Sequence, residues 1–326
     1  MLKLMAATLV ALVIGMAAGP QYIRWLGRRG IGQNVREYTP EGHNAKQGTP
    51  TMGGVLILVA ALVPYLIFGS RAWISLMVFI LILGSGVIGF IDDFISQWRK
   101  RSLGLSARTK LLLQVPVVGV AIWLGLRYGG VNTRLALPFV REGFEIGWFY
   151  YPFAFLLISG FSNAVNLTDG LDGLAAGTVA VAFFGYAGIA FLQGETDLAM
   201  LAACLTGASA GFLWYNTHPA SVFMGDTGSL ALGGGLAGMA IATNMELLLI
   251  LIGGLFVIEA LSVMIQVFSF RVFRRRVFLM APIHHHFELK GWSETKIIVR
   301  FWIIAAILAG AGFALYYLSN TRFPAS

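Results

Sequence analysis

The stretch "AWISLMVFILILGSGVIGFIDDF", residues 72–94, holds no charge from Ala72 to Ile91 and then sets two aspartates side by side. About 20 apolar residues suffice to cross a bilayer as a helix. A charge at the bilayer centre costs at least about 2.5–3.5 kcal/mol. The stretch therefore reads as a span that ends where the acids begin, with Asp92 and Asp93 at a membrane surface. The pattern recurs twice. The apolar run 148–165 gives way to "NLTDGLDG" (166–173), and the run 198–215 leads into "FMGDTGS" (223–229).

Outward from these stretches the whole chain has the same character. Of its 326 residues, 57% are hydrophobic and 12% charged, and the mean hydropathy is +0.77. A soluble protein of this length needs more polar surface, so lipid is the expected solvent. Ten spans are predicted, over 2–19, 51–69, 72–91, 109–128, 148–165, 174–192, 198–215, 229–244, 247–270 and 297–318. Backbone groups in lipid must be satisfied internally, and no ten-residue alternating strands occur, so all ten are expected as helices. The expectation is an all-α integral membrane protein, one polytopic membrane domain over residues 1–326. Residues 1–19 look like a signal peptide, but more spans follow, so they read as an uncleaved first span. The single cysteine, Cys204, lies in an apolar run and excludes an internal disulfide.

The net charge of +8 is not a nucleic-acid signature. The basic residues gather between spans with no basic–aromatic pattern, and no nucleic-acid partner is expected. Their partition sets orientation. Seventeen of the 23 lysines and arginines fall in the linkers after spans 1, 3, 5, 7 and 9 or at their edges, among them Lys46, Lys100 and Lys110. Those linkers are placed in the cytoplasm and both termini outside. Asp92, Asp93, Asp169, Asp172 and Asp226 then share the cytoplasmic face, and the one remaining aspartate, Asp197, lies on the far side. Five acids from three linkers, with three lysines on the same face, point to a polar site at the inner membrane surface.

Each motif has its own chemistry. Asp92 and Asp93, neighbours on a helix, point about 100° apart; they can hold Mg²⁺, hold a lysine or take a proton. In "NLTDGLDG" the glycines allow close backbone approach to a ligand, and Thr168 or Asp169 is placed to cap a helix starting near Leu174. Asp226, flanked by glycines at a helix start, suits Mg²⁺, which takes one or two carboxylates together with substrate phosphate oxygens. Phe223 can stack on a flat base or anchor in lipid. In "APIHHHFE" (281–288) three successive histidines cannot all face one ion and no cysteine accompanies them, so a phosphate- or sugar-contacting loop is expected in preference to zinc. Glu259, inside span 9, is an intramembrane acid and therefore a functional candidate. Gln266, seven residues on, shares its face.

Taken in order, "NAKQGTPTMGG" (44–54), "IDDF" (91–94), "GLSARTKLLLQ" (104–114), "NAVNLTDGLDGLA" (163–175), "FMGDTGS" and "APIHHHFE" resemble the phospho-N-acetylmuramoyl-pentapeptide transferases. The aspartate motifs resemble those of the wider polyprenyl-phosphate sugar-1-phosphate transferases. The histidine triplet and "KQGTPTMGG" look specific to the muramoyl-pentapeptide branch. The resemblance implies ten transmembrane helices, a Mg²⁺-dependent enzyme of the bacterial inner membrane and a homodimer. It also implies transfer of phospho-MurNAc-pentapeptide from its UDP-linked donor to undecaprenyl phosphate, releasing UMP. By motif, Asp226 is the implied metal ligand, and Asp92 and Asp93 the implied catalytic pair. Asn166, Asp169, Gly170, Asp172, Asn216 and Phe223 would surround the uridine and its phosphates. Lys46, Thr51, Gln266, Ala281, His284, His285 and His286 would line the rest. The chain departs from the family at Ser96, where many members carry a lysine; Lys100 is placed to supply that charge. Two alternatives stand beside this reading: a related transferase of another UDP-sugar, and an ion-coupled transporter, which would hold its acids near the midplane between repeated halves.

Overall fold

The computed structural model describes residues 1–32, 48–99, 104–140 and 143–322. The chain runs through α1 (Leu2–Arg28), α2 (Gly54–Phe68), α3 (Trp73–Arg99) and α4 (Ala107–Tyr128). After a two-stranded ribbon, β1 (Arg134–Leu135) against β2 (Phe144–Glu145), come α5 (Tyr150–Thr168), α6 (Leu174–Leu192), α7 (Thr196–Asn216) and α8 (Gly225–Ala242). The short α9 (Leu249–Ile252), α10 (Gly254–Phe273), the short α11 (Ile283–Leu289) and α12 (Glu294–Arg322) complete it. A helix stands over each of the ten apolar stretches. Seven are long and apolar enough to cross a membrane: α1, α3, α4, α6, α7, α10 and residues 294–320 of α12. α2 is apolar but shorter, and glycine-rich α8 is less apolar. The chain is a multi-pass helical membrane protein.

The boundaries differ from the sequence reading in three informative places. α3 runs on past Ile91 to Arg99, because Asp92 and Asp93 find donors on neighbouring segments and need not leave the helix to reach water. The continuous apolar run 247–270 is broken at Gly253, which separates α9 from α10; adjacent glycines at 253 and 254 are poor helix formers. The ribbon between α4 and α5 was not anticipated. Its strands are two residues long, too short for an alternating pattern, and Glu145 secures it by accepting from Thr133 and Arg134.

The glycine-rich stretch becomes the centre of the bundle. Every residue of α8 from Thr227 to Ala242 is buried, chiefly against α3 and α5. Small residues let helix backbones approach closely in a membrane, where packing rather than water drives association. α7 is also largely enclosed, lying among α1, α2 and α6. Together these helices hold α8 so that its first turn points to one end of the bundle. The ends of α3 and α5 and the starts of α4 and α12 gather at that same end.

Candidate active site

The first turn of α8 has no side-chain cap of its own. Asp93 supplies one from α3. Its Oδ1 accepts from Asp226 N at 3.0 Å, and its Oδ2 accepts from Thr227 N at 2.9 Å and Thr227 Oγ1 at 2.6 Å. A helix N-terminus offers free N–H groups and partial positive charge, which suit a carboxylate. Gly225, which precedes Asp226, has φ +73°, and a Cβ there would lie 2.7 Å from Asp93 Oδ2. Gly225 is thus required sterically for the α3–α8 junction.

Asp226 itself points away from this cap. Its Oδ2 lies 2.5 Å from Lys110 Nζ, and its Oδ1 accepts from Asn166 Nδ2 at 2.7 Å. Asn166, in the last turn of α5, also donates to Ser229 Oγ at 2.9 Å. Lys110 Nζ lies 3.2 Å from Asp92 Oδ1, which also accepts from Leu105 N. Lys110 sits in the first turn of α4, where the helix field disfavours a cation; two carboxylates overcome that. Ser106 caps α4 by accepting from Thr109 N at 3.2 Å, which fixes the turn that carries Lys110. One oxygen from each of Asp92, Asp93 and Asp226 lies within 4.8 Å of the others. An all-oxygen carboxylate set suits a hard divalent cation such as Mg²⁺. Asp93 is held by the backbone and Thr227 hydroxyl of α8, whereas Asp226 is met by two side chains, Lys110 and Asn166, and Asp92 by Lys110 and Leu105 N, so Asp226 and Asp92 are the ones whose partners a cation can displace.

The stretch before α2 completes one wall. Gly53 N donates to Phe223 O, Gly54 N to Met224 O and Phe223 N to Pro50 O, each at 2.8 Å. Thr51, buried, stands beside Gly225. Phe223, half-buried, is therefore anchored by its backbone. Lys46 and Lys100 lie outside the described residues.

The other expected residues form a second group alongside. Asn216 Nδ2 donates to Val222 O at 2.9 Å and holds the loop before α8. Asp172 Oδ2 lies 3.1 Å from His218 Nδ1 and accepts from Ala220 N at 3.0 Å, while Asp172 N donates to Glu294 Oε1 at 2.8 Å. Glu294 Oε2 is 3.2 Å from His218 Nδ1. Asp172 is thus gathered with His218 and Glu294, apart from the three clustered aspartates. Asp169 is half-buried at the end of α5. Neither it nor Thr168 caps α6: Thr168 Oγ1 donates back to Ala164 O, and the N-cap of α6 is Gly173 at φ 80°.

The histidine triplet lies on the short helix α11 and not in the expected loop, and its side chains diverge as neighbours on a helix do. His284 is wholly buried, with Nδ1 3.1 Å from Glu259 Oε1. His285 Nδ1 pairs with Glu288 within α11. His286 Nδ1 accepts from Leu279 N at 3.1 Å, with Phe278 edge-on to its ring. Burial, and then the charge of Lys290, hold His286 below the ordinary imidazole range, in keeping with an accepting Nδ1. Gln266 braces the approach to Ala281 and the triplet: its Oε1 accepts from Val277 N and Phe278 N at 3.0 Å, and its Nε2 donates to Phe278 O at 2.9 Å. Sequence reasoning passed over His218, Glu294, Thr227 and Ser229. Thr227 and Ser229 stood inside a quoted motif; His218 and Glu294 carried no signal beyond lying near one.

Fold and site together define a multi-pass membrane protein with a buried acidic centre at one end of its bundle, built to manage charge at a lipid boundary. Residues 73–244 match Glycosyl transferase family 4, and residues 46–58 match Phospho-N-acetylmuramoyl-pentapeptide-transferase signature 1. The chain is 48% identical over 310 residues to the phospho-N-acetylmuramoyl-pentapeptide-transferase of Halalkalibacterium halodurans, covering 94% of this chain and 95% of the relative. It is 46% identical to those of Desulfitobacterium hafniense (98% of both chains) and Rubrobacter xylanophilus (97% of this chain and 98% of the relative). The chain belongs to the phospho-N-acetylmuramoyl-pentapeptide transferase family and is an enzyme, a glycosyl-1-phosphate transferase.

Proposed function

We propose that the enzyme transfers phospho-MurNAc-pentapeptide from its UDP-linked donor to undecaprenyl phosphate, releasing UMP, with Mg²⁺ held by Asp226 and Asp92. The protein works as a homodimer in the bacterial inner membrane, each chain one polytopic domain of ten spans. Both termini lie outside and the acidic site faces the cytoplasm. What supports this reading is the meeting of Asp92, Asp93, Asp226 and Lys110 at one end of the bundle, together with the sequence pattern that puts most basic residues in the linkers expected on that face.

Donor pyrophosphate and acceptor phosphate are both anions and repel each other. Mg²⁺, when bound, supplies positive charge for the phosphate oxygens at the carboxylates. Lys110 turns its ammonium toward the same oxygens, and Asn166 keeps Asp226 oriented. The acceptor phosphate has a second pKa near 6 and is mostly dianionic at neutral pH, so a strong base is not required. Its oxygen attacks the sugar-linked phosphorus directly and the bond to the departing UMP breaks. Asp93, committed to α8, positions Asp226. The nucleotide lies along Asn166–Asp172 and Phe223, with Asn216 holding the loop behind it, and Lys46, Lys100, Thr51, Gln266, Ala281 and the histidines border the sugar and its phosphate. The midplane site of an ion-coupled transporter does not match acids gathered at one bundle end.

The test is UMP release by purified protein with defined donor and lipid acceptor, with and without Mg²⁺. Turnover only with both substrates and the metal is expected. UMP–donor isotope exchange without acceptor would replace direct attack with a phospho-aspartyl intermediate, and flux without UMP release would replace the enzyme reading with transport.

A further inference from the structure

Glu259 has no part in the chemistry just described, yet it is fully buried in α10. Neither carboxylate oxygen has an aligned hydrogen bond, and neither ring nitrogen of His284 has one. The Glu259 carbonyl is occupied by Ser262 Oγ at 2.6 Å, which leaves the carboxylate unhelped. A buried carboxylate is stable only when a cation or donor meets it. His284 Nδ1, 3.1 Å from Oε1, is the group that does so among the described residues, and both side chains are 0% exposed. A carboxylate oxygen only accepts, so the imidazole nitrogen that faces it is the one that carries the hydrogen, Nδ1.

The opposite ring nitrogen has its own neighbour. A Cβ at Gly170 would lie 2.5 Å from His284 Nε2, so Nε2 faces the turn of "NLTDGLDG". Glycine is required there because any side chain would strike the ring. A carboxylate on one nitrogen fixes the tautomer and the plane of an imidazole, and thereby what the other nitrogen presents. We infer that Glu259 is a positioning residue: from inside α10 it holds His284 with Nδ1 protonated, so that Nε2 meets the α5–α6 turn that binds the donor nucleotide. The inference rests on the proposed function only in naming that nucleotide. The contact itself is independent of it.

The experiment compares the wild-type protein with Glu259→Leu and Glu259→Gln in nanodiscs. Histidine ¹⁵N spectra, assigned with His284→Asn, should show a protonated Nδ1 in the wild type and its loss in Glu259→Leu. The Gln variant, whose amide oxygen can still accept from Nδ1–H, should keep it. Donor KM should rise about tenfold or more in the Leu variant, in line with loss of a charged hydrogen bond. Its kcat at saturating donor should change by less than about threefold, and the Gln variant should fall between. In a His284→Asn background the Leu substitution should add nothing. An unchanged Nδ1 signal in Glu259→Leu overturns the inference whatever the activity. So does a lowered melting temperature with unaltered donor KM, which would make Glu259 merely structural. If the Leu variant does not fold, the decision falls to Gln: a donor KM raised above wild type supports the inference, and a wild-type donor KM overturns it. Absence of turnover in the wild type would undo the proposed function and leave the Nδ1 result to decide the inference alone.

Discussion

At one end of the bundle Asp197 draws four donors: Tyr65 Oη at 2.9 Å and the backbone N–H groups of Ser70, Arg71 and Ala72. At the other end Asp92, Asp93 and Asp226 crowd within 4.8 Å of one another, and Lys110 is the cation between two of them. The first is a joint. Its donors tie the α2–α3 turn to the start of α7, and nothing further is needed. The second sets three carboxyl groups against one ammonium, so it favours a cation that arrives. Asp93 shows that the distinction runs residue by residue, because it sits in the crowded end yet is saturated like Asp197. Donor count, more than location, separates acids that hold the fold from acids left for chemistry.

The sharpest way to break this comparison is Asp226→Asn, which keeps the shape and removes the charge. Turnover should fall by about 10³-fold, the scale of losing a group that stabilises transition-state charge, with the melting temperature unchanged. Near-normal UMP release would remove Asp226 from the metal site. Lys110→Met should cost about 10²-fold in kcat by the same argument; an effect on stability alone would make Lys110 a structural counter-ion. Phe223→Ala should weaken the uridine donor about tenfold, as expected for one lost aromatic stack, while unaltered donor affinity would assign the ring to lipid. At the other end, Asp197→Ala should leave kcat within about twofold but destabilise the fold by about 2 kcal/mol through its stranded donors. A loss of activity at intact stability would erase the contrast between the ends.

The smallest effect concerns pH. Glu246, in the turn before α9, accepts from Tyr150 Oη at 2.7 Å, and burial pushes its carboxyl up to about 7 despite that bond. A carboxyl raised in the folded state contributes stability that is complete below its ordinary value and lost as pH rises through the folded one. The protein should therefore melt at lower temperature at pH 8 than at pH 5, and Glu246→Gln should flatten the difference. An equal pH dependence in that variant would place the titration elsewhere.

Much of the fold was legible because lipid leaves so few solutions: runs of about 20 apolar residues become helices, and helices stand over all ten. The break at Gly253 was not legible, since the apolar run crosses it without interruption. At the site, the clustered aspartates announced themselves because a carboxylate beside an apolar run is costly. The division of labour between Asp92 and Asp93 was hidden, because it depends on which helix end each one meets. His218 and Glu294 were hidden for a related reason. A histidine before a proline and a glutamate in a first turn are ordinary residues until three separate loops bring them to Asp172. Glu259 stood out as an acid within a span, but its partner His284, 25 residues on, required the structure.

The cap that Asp93 provides has a consequence for how the chain is made. Its partners, Asp226 and Thr227, follow it by more than 130 residues. While the ribosome is still making the intervening helices, α3 must sit in the membrane with this acid unanswered. Lys110, 18 residues later in the chain, can neutralise Asp92 early, and the centre closes when the eighth long helix arrives.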